Sequence, residues 1–464
     1  MINANPNLNN EMNQSPQKRV AALTLGCKLN YSESAAILDK LTQLGWQIST
    51  VDDGAELIIV HTCAVTKKAE QKCRQKLRTL IRNNPESRFA AIGCYAQLQP
   101  EILTSISGID AILGTEEKFN PEWYEAIWQQ QPAQPIVRVS PAAALTTIHP
   151  GYSLPAHAPG ERTRAFLKIQ DGCNYGCTYC TIPLIRGTSR SLPVEAVIER
   201  ACQLAVSGYR EIVLTGVNTG DYHWHGTRLH DILKKLESLR QCRIRISSIE
   251  PDLVDDELIE IIAASPNIVP HLHIPLQHGS DTILKAMGRR YTTANYRKKV
   301  EQIVSMIPGC ATGADVMIGF PGEREQEFME MYRFLQELPL AFMHIFTFSP
   351  RPGTPLARTK RALDQTPVPS AECTRRFALL DALKKTKEHR FKETAIGSIM
   401  PVLFETAPIR RHGCYECSGY TPNYMRVTVT GHDPGELATL KGTEHQTRMV
   451  SLDDDLNLLG SIVS

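Results

Sequence analysis

Apolar runs that alternate with helix-forming stretches constrain the fold of this chain more than any other feature. Near the amino terminus, three such runs read VAALTLGC, ELIIVHTC and RFAAIGC, and each has the composition of a buried strand. Helical stretches at about 31–44, 67–83 and 98–106 alternate with them. This pattern predicts a parallel α/β unit over residues 19–130.

The middle of the chain shows the same alternation. Six apolar runs lie at 165–169, 211–215, 243–248, 271–275, 314–320 and 341–348. They predict a curved parallel sheet within a core at 161–392, a partial (β/α)6 version of the eightfold barrel. From residue 393 to 464, short strands with Gly and Pro turns predict a small β-barrel. The predicted class is therefore α/β with a carboxyl-terminal β-barrel.

The segment DGCNYGCTYCTIP places Cys173, Cys177 and Cys180 directly after the first of the central strands. Iron–sulfur clusters are held by cysteine thiolates, normally four, so three thiols leave one iron open to a reactant. Zinc would require a fourth ligand, and three cysteines this close together make a poor disulfide framework. The loop predicts a [4Fe–4S] cluster at the carboxyl face of the sheet, where active sites of such barrels lie.

A second set of cysteines is scattered in sequence but shares one structural position. Cys27, Cys63 and Cys94 each end one of the three amino-terminal apolar runs. Ligands collect at the carboxyl ends of parallel strands, so these three thiols are expected to converge. We interpret them as a second iron–sulfur site. The alternative is that they are buried structural cysteines, which are common small hydrophobic residues.

The other cysteines do not share this placement. Cys73 lies within a predicted helix and is interpreted as structural. Cys414 and Cys417 form a C-x2-C pair with no second pair, so we expect a solvent-side loop there and not a zinc or redox site. The structural interpretation extends to the cysteines inside other predicted elements: Cys202, Cys242, Cys310 and Cys373.

Composition narrows the class of protein further. Of the 464 residues, 42% are hydrophobic and 22% are charged, as in ordinary globular proteins. No signal peptide or membrane-spanning run is recognisable, so the 13 cysteines indicate a reducing, cytoplasmic location and no membrane partner. Residues 1–18 have the composition of a disordered tail. Residues 131–160 belong to a proline-rich stretch that predicts an extended linker with little packing.

The net charge of +2 does not by itself demand a nucleic-acid partner. Two local patches are basic: residues 67–82 hold seven Lys and Arg against one Glu, and residues 356–392 hold ten against four acids. Each patch could neutralise phosphates or be an ordinary solvated helix face. From 395 to 464 acids outnumber bases eight to five, so RNA contact in the barrel is confined to one face. That face is expected around Arg410, Arg411, Tyr420, Tyr424 and Arg426.

Several motifs match a known family closely: TLGCKLN, HTCAVTKKAEQKCRQ, IGCYAQ, QDGCNYGCTYCTIPLIRGTSRS, VLTGVNTGDY, HIPLQHGSD and GFPGE. From residue 19 onward the chain resembles the methylthiotransferases of the radical S-adenosylmethionine (SAM) superfamily. The resemblance implies three parts: a cluster domain, a radical SAM core and a TRAM domain. TRAM is a small RNA-associated β-barrel, and GYTPNYMRV at 419–427 is similar to its signature.

The resemblance also implies cofactors and chemistry. The loop cluster would bind SAM and cleave it to a radical that removes hydrogen from an unactivated carbon. A second [4Fe–4S] cluster would carry the inserted sulfur, and a second SAM would give the methyl group. Residues expected to cradle SAM follow the core strands: Gly216, Asn218, Ser248, Glu250, Gln277 and Gly319. Glu250 would bond the ribose hydroxyls, unless it is a capping or salt-bridged glutamate.

Within the family, TLGCKLN and QDGCN resemble the branch acting on carbon 2 of N6-threonylcarbamoyladenosine beside the tRNA anticodon. The isopentenyladenosine branch usually has Gln-Met in place of Lys28-Leu29 and Glu in place of Asp171, and the ribosomal-protein branch also favours Glu before its cysteine loop. The alternatives are this chemistry on isopentenyladenosine or a ribosomal-protein aspartate, or a non-catalytic iron–sulfur protein that binds RNA. The expected partner is tRNA. The sequence identifies neither the electron donor nor the sulfur donor.

Overall fold

A computed structural model describes residues 18–130, 132–156, 158, 161–359, 367–411 and 413–463. The predicted tail at 1–18 lies outside these residues except for Lys18. Three units follow one another along the chain, and the predicted α/β class with a carboxyl-terminal β-barrel is confirmed. None of the helices in the described ranges is both long and apolar enough to cross a membrane.

The amino-terminal unit is a parallel sheet covered by helices. Its elements are β1 (Arg19–Thr24), α1 (Lys28–Gln43), β2 (Gln47–Ile48), β3 (Leu57–Thr62), α2 (Lys67–Asn83), β4 (Arg88–Gly93), α3 (Cys94–Leu98), α4 (Pro100–Thr104), β5 (Ala111–Leu113), α5 (Glu122–Gln130) and β6 (Ile136–Arg138). The strands pair in the order β2-β1-β3-β4-β5-β6. Every residue of β3 is buried, as expected for a central strand covered on both faces.

The segment expected to be a linker, at 131–160, packs against this unit. β6 pairs in parallel with β5, and Tyr152 and Leu154 are buried. The Tyr152 hydroxyl donates to Asp39 of α1 at 2.7 Å. The expectation of little packing is therefore wrong over this part of the segment. Prolines flank β6 without interrupting it, so they do not remove a hydrogen bond from its ladder.

The central unit is a partial barrel. Its strands are β7 (Ala165–Lys168), β8 (Gln170–Asp171), β9 (Arg190–Ser191), β10 (Glu211–Thr215), β11 (His223–Trp224), β12 (Thr227–Arg228), β13 (Arg243–Ile246), β14 (His271–His273), β15 (Ala311–Ile318) and β16 (Phe342–Thr347). Its helices are α6 (Ile182–Arg186), α7 (Val194–Val206), α8 (Leu229–Leu236), α9 (Asp256–Ala264), α10 (Asp281–Ala286), α11 (Thr293–Met306), α12 (Glu325–Glu337), α13 (Pro355–Arg358) and α14 (Ser370–Glu393).

The six predicted core strands lie side by side in chain order. β7, β10 and β13 form one parallel sheet, and β14, β15 and β16 form another. A parallel bridge between Ser248 and His273 joins the two sheets. All six carboxyl ends therefore point the same way, and the loop with Cys173 follows the first of them.

The carboxyl-terminal unit is a small, mostly antiparallel barrel. It contains β17 (Ile399–Phe404), β18 (Ile409–Arg411), β19 (Cys414–Tyr420), β20 (Arg426–Gly431), α15 (Pro434–Ala438), β21 (Glu444–Leu452) and β22 (Leu458–Ile462). Pairing of β17 with β19 closes it. Cys414 and Cys417 lie on β19, so the expectation of a solvent-side loop is wrong. Cys417 is fully buried in the barrel core, where its thiol donates to the Thr406 carbonyl at 3.0 Å.

The barrel is held at the amino ends of the core strands. Arg243, the first residue of β13, donates to the carbonyls of Pro401 and Tyr420 at 2.9 and 3.0 Å. Arg245 donates to the Pro422 carbonyl at 2.9 Å. The carboxyl-terminal unit and the cysteine loop therefore lie at opposite ends of the core strands.

Candidate active site

The three scattered cysteines lie at the carboxyl edge of the amino-terminal sheet. Cys27 precedes α1, Cys63 follows β3, and Cys94 opens α3 directly after β4. Because β1, β3 and β4 are neighbours in the sheet, their ends bring the thiols together. The Cys27 and Cys94 sulfurs both approach the side-chain oxygen of Asn30, at 3.7 and 3.8 Å.

Cys73 supports the loop that carries Cys63. Its sulfur accepts from the Cys63 backbone N–H at 3.4 Å and lies 3.6 Å from the Cys63 carbonyl. The side chain is 1% exposed and belongs to the core between α2 and the sheet. This geometry favours the structural interpretation of Cys73.

A buried network of charges joins the scattered cysteines to the core. Glu33 of α1 contacts Arg186 at 2.9 Å, Lys168 at 2.8 Å and Lys118 at 2.6 Å. Asp171, just before the cysteine loop, also contacts Arg186 at 2.9 Å and Lys168 at 2.8 Å. Burial alone would raise the pKa of Glu33, but the surrounding cations hold it well below its usual value.

This network has one positive charge in excess. It contains three cations, Lys118, Lys168 and Arg186, against two carboxylates. Burial holds the pKa of the adjacent His61 well below its usual value, so its ring adds no charge. Arg186 lies 3.8 Å from the Cys94 sulfur. A thiolate-bound, anionic cluster beside Cys94 would balance this buried charge, so the residues fit such a group.

The cysteine loop is fastened by backbone and amide hydrogen bonds. Gln170 donates from its amide to the Gly172 carbonyl at 2.8 Å and accepts from the Val217 and Asn218 N–H groups, both at 3.0 Å. It therefore ties the loop to the segment after β10. Arg289 lies 3.1 Å from the Cys177 sulfur and pairs with Glu250.

The cysteine thiols must lose their protons before they can bind a metal centre. Burial is the main cause that raises the pKa of Cys63 to about 12, of Cys173 to about 11 and of Cys180 to about 12. A metal centre must displace these protons, which couples binding to proton release.

The thiols of neither cysteine trio are spaced as the ligands of a single zinc ion would be. Among the described residues, the one trio of His, Cys, Asp or Glu ligand atoms that lies within 4.8 Å is formed by His273, Asp315 and His344. Neither cysteine trio is that compact. Sulfur ligands of one zinc ion, at about 2.3 Å from the metal, would lie about 4 Å apart.

A cavity of about 680 Å³ lies where the three units meet. Its wall includes Cys27 and Lys28 from the amino-terminal unit, Gly216 and Ser248 from the carboxyl ends of core strands, and Tyr424 from the barrel. Its volume is typical of sites that enclose a small molecule. The cavity connects the edge carrying Cys27 with the strand ends next to the cysteine loop.

The residues predicted to cradle SAM are not all in this cavity. Gly216 and Ser248 line it, whereas Gly319 lines a separate cavity of about 350 Å³. Asn218 accepts from the Glu250 N–H at 3.3 Å, and Gln277 lies in the left-handed region with φ of 68°. Glu250 forms a salt bridge with Arg289, as in the alternative interpretation of Glu250 as a capping or salt-bridged glutamate. All six stay predictions as SAM contacts.

Several site residues are not recognisable from their own sequence context. Lys118, Lys168 and Arg186 come from three distant segments and meet only in the folded chain. Arg289 reaches Cys177 from a position 112 residues away. The one available signal was the motif around the cysteines, which contains both Asp171 and Arg186.

Comparisons with known proteins agree with this architecture. Residues 167–335 match the family model of the Radical SAM superfamily, and residues 19–114 match that of Uncharacterized protein family UPF0004. The partial barrel with its cysteine loop, and the amino-terminal α/β unit that precedes it, thus define a radical SAM protein with an amino-terminal UPF0004 domain.

Curated relatives narrow this class. A Bacillus subtilis protein is 38% identical over 430 residues, which cover 91% of this chain and 93% of the relative. A Thermotoga maritima protein is 33% identical over 441 residues, covering 94% and 96%. Both are named threonylcarbamoyladenosine tRNA methylthiotransferase MtaB. The chain belongs to the MtaB-like methylthiotransferase family of radical SAM enzymes, as the motifs predict. Its cofactors therefore include an iron–sulfur cluster and SAM.

A solved structure shares the fold. The radical SAM methyltransferase TsrM from Kitasatospora setae, solved with cobalamin and a [4Fe–4S] cluster, superposes with a TM-score of 0.55. The match covers 74% of this chain and 77% of TsrM at 14% identity. At that identity the likeness is one of fold alone.

Proposed function

We propose that this enzyme methylthiolates carbon 2 of N6-threonylcarbamoyladenosine next to the anticodon of tRNA, using SAM and two [4Fe–4S] clusters. The proposed ligands are Cys173, Cys177 and Cys180 for the SAM-binding cluster, and Cys27, Cys63 and Cys94 for the cluster that carries sulfur. The names of the Bacillus and Thermotoga relatives support this choice of substrate. The proposed domains are the cluster domain 19–130, the linker 131–160, the core 161–392 and a TRAM domain at 393–464.

The observation that carries this proposal is one cavity that Cys27 lines and that reaches the strand-end segment to which the cysteine loop is tied. Cys27 lines it directly, and Gln170 links the cysteine loop to the Gly216 segment of its wall. A reaction that opens a C–H bond and then adds sulfur to the same carbon needs both centres within reach of one bound base. A shared cavity meets this requirement, whereas two separate pockets would not.

Bound at these thiols, an iron–sulfur cluster and SAM supply the one-electron chemistry that opens an unactivated C–H bond, which no side chain can do. The protein's own side chains position these cofactors and enclose the bound base. Arg186 and Arg289 face the sulfurs of Cys94 and Cys177 with positive charge. Phe342 and Tyr424 form apolar parts of the cavity wall that can pack against a base and exclude water.

The basic helix α2 supports tRNA as the partner. Six of its cationic side chains are exposed, and none of them pairs with a described carboxylate: Lys67, Lys68, Lys72, Lys76, Arg78 and Arg82. The second basic patch is different. In α14, Arg375 pairs with Glu372 at 2.6 Å, and Lys385 pairs with Asp381 at 3.0 Å. We therefore assign phosphate contact to α2, beside Cys63, and a solvated, ion-paired surface to α14.

Iron and sulfide analysis after anaerobic reconstitution tests the two-cluster part of the proposal. We expect about eight irons in the wild type and about four in a Cys173→Ala, Cys177→Ala, Cys180→Ala variant. About four irons that fall to none would mean that the scattered cysteines are structural, and the proposed sulfur site would have no ligands.

Mass spectrometry of tRNA nucleosides tests the substrate. A strain that lacks the gene should lose the 2-methylthio derivative of N6-threonylcarbamoyladenosine and keep the unmethylthiolated nucleoside. Loss of a methylthio isopentenyladenosine instead, or of methylthiolation on a ribosomal protein, would replace the proposed substrate. Reconstituted protein that does not cleave SAM would point to a non-catalytic role.

A further inference from the structure

Lys28 is a cation without a counter-charge in the cavity wall. It directly follows Cys27 at the start of α1, and its side chain is open to the cavity. Within the described part of the chain it forms no ion pair and no side-chain hydrogen bond.

The neighbouring charges do not neutralise Lys28, because they are already paired. Arg164 pairs with Glu405, Arg243 with Glu444 at 2.5 Å, and Arg245 with Glu211 at 2.7 Å. Each of these three arginines thus forms an ion pair with a different glutamate. Lys28 is therefore a cation of the cavity wall that has no carboxylate partner among the described residues.

Three other side chains of the cavity wall have unmet hydrogen-bonding capacity. The Oγ1 of Thr215, the Oγ of Ser247 and the Nδ1 of His271 have no partner among the described residues. His271 is 6% exposed, and burial is the main cause that holds its pKa well below the usual value, so the ring is neutral. Buried polar groups are normally paired, so unpaired groups beside a cavity indicate a polar ligand.

We propose that Lys28 binds the carboxylate of the threonylcarbamoyl group, with Thr215, Ser247 and His271 beside it as hydrogen-bonding partners for the rest of that polar chain. The inference rests on the proposed function, because it deepens the substrate assignment. A threonylcarbamoyl chain offers one carboxylate, one hydroxyl and a urea. A hydrocarbon chain on the same base would leave the ammonium and all three polar groups without partners, which penalises binding.

The part of the cavity wall at Asp315 is unsuited to a carboxylate. Although burial favours the neutral form of Asp315, hydrogen bonds from His273 and His344 lower its pKa to about 2. It is therefore anionic at working pH and repels a second carboxylate. The two histidines are already occupied by Asp315, at 2.8 and 3.1 Å. Lys28 is the cation that remains beside Cys27.

The test compares RNA binding by reconstituted wild type and a Lys28→Met variant. The probes are anticodon stem-loop RNAs that carry threonylcarbamoyladenosine, its methyl ester, or adenosine. We expect the wild type to bind the free acid about 10- to 100-fold more tightly than the ester, the range for a hydrogen bond to a charged group. In Lys28→Met the acid and the ester should bind alike, and Lys28→Arg should restore part of the preference.

Lys392→Met is the matched control, because Lys392 is another lysine of the same cavity wall. It should leave the ratio of acid to ester binding unchanged. Iron content equal to wild type in every variant shows that the site beside Cys27 is intact. If Lys28→Met weakens all three RNAs equally, Lys28 contacts a backbone phosphate, and the carboxylate subsite is overturned. Loss of the preference in Lys392→Met alone would also overturn it.

Turnover separates this inference from the proposed function. Wild type that methylthiolates the free-acid RNA but binds acid and ester equally would overturn the subsite and leave the function standing. Wild type that prefers the acid but forms no methylthio product would support the subsite and contradict the function.

Discussion

At the scale of single residues, Gly172 shows how closely the cysteine loop is packed. Its φ is +72°, and a Cβ built on it would lie 1.9 Å from the Thr188 carbonyl oxygen. A side chain there must displace the segment that pairs with the loop across β8 and β9. We expect Gly172→Ala to lose about four irons on reconstitution, measured by iron and sulfide analysis.

Gly176 is a matched control in the same loop. A Cβ on Gly176 meets nothing within 4 Å, and the residue does not have a positive φ. Gly176→Ala should therefore keep the iron content of the wild type. Equal iron in both variants would show that the close packing of the loop is not needed to hold its cluster.

Glu33 is the residue on which the buried charge network depends. Glu33→Gln keeps the shape of the side chain but leaves Lys118, Lys168 and Arg186 with Asp171 alone. We expect the free energy of unfolding of the apoprotein to fall by about 3–5 kcal/mol, as for a broken buried ion pair. The half-exposed pair of Arg19 and Glu56 is the control, and Glu56→Gln should cost much less in the same urea titration, because solvent screens that pair.

The stabilisation that Glu33 provides should also depend on pH. The pKa of Glu33 in the folded chain lies well below the value of about 4.3 that a free glutamate has. A lowered pKa stabilises the fold above the unfolded value, and the contribution is lost as the pH falls through the folded value. The difference between wild type and Glu33→Gln should thus be constant from about pH 8 to 5 and shrink below about pH 4. A difference that grows in acid would contradict the ionised network.

Single residues also show what the sequence can predict of the site. Cys27, Cys63 and Cys94 could be grouped because each ends an apolar run, and such runs become neighbouring parallel strands. Lys118 and Lys168 carried no comparable signal, because their role depends on contacts with Glu33 that no local pattern encodes. Hydrophobic periodicity predicts strand ends, whereas the pairing of buried charges depends on tertiary packing.

At the scale of elements, α2 and α14 have similar composition but different surfaces. The charged side chains of α14 are largely paired with acids on the same helix or close to α12, such as Arg376 with Glu323 at 2.7 Å. Those of α2 are exposed, and its one acid, Glu70, is buried against Arg351. Counts of charge along the sequence could not separate the two helices, because pairing depends on what packs beside each one.

We predict that α2 contributes to tRNA affinity and that α14 does not. A Lys68→Ala, Lys72→Ala, Lys76→Ala variant should weaken tRNA binding, because fewer backbone phosphates are then neutralised. The slope of log affinity against log salt should fall by about 0.7–0.9 for each phosphate that the variant no longer neutralises. The measurement is a binding titration at several salt concentrations.

Lys384→Ala with Lys385→Ala is the control for α14. These two lysines pair with Glu388 at 3.8 Å and Asp381 at 3.0 Å, so their removal should leave the slope unchanged. If the α14 variant lowers the slope and the α2 variant does not, the assignment of the phosphate contact must be reversed.

At the scale of the whole molecule, the carboxyl-terminal barrel closes the cavity. Tyr420 and Tyr424, expected on an RNA-binding face, stack on each other with ring centroids 4.8 Å apart. The Tyr424 ring also lies 4.7 Å from the Arg245 guanidinium, inside the interface with the core. This position and the acidic balance of the barrel both favour a structural role at the cavity over RNA capture on its outer surface.

The last prediction separates these two roles. Arg410 and Arg411 lie on the exposed strand β18, so a variant with Ala at both positions should bind tRNA within about twofold of wild type. Tyr424→Ala removes an aromatic ring from the cavity wall and should disturb the position of the bound base. The amount of methylthio product formed per SAM cleaved should then fall by about tenfold or more. Chromatography of 5′-deoxyadenosine and nucleoside products measures this ratio. A large loss of affinity in the arginine variant, with coupling intact in Tyr424→Ala, would instead make the outer face of the barrel the RNA-binding surface.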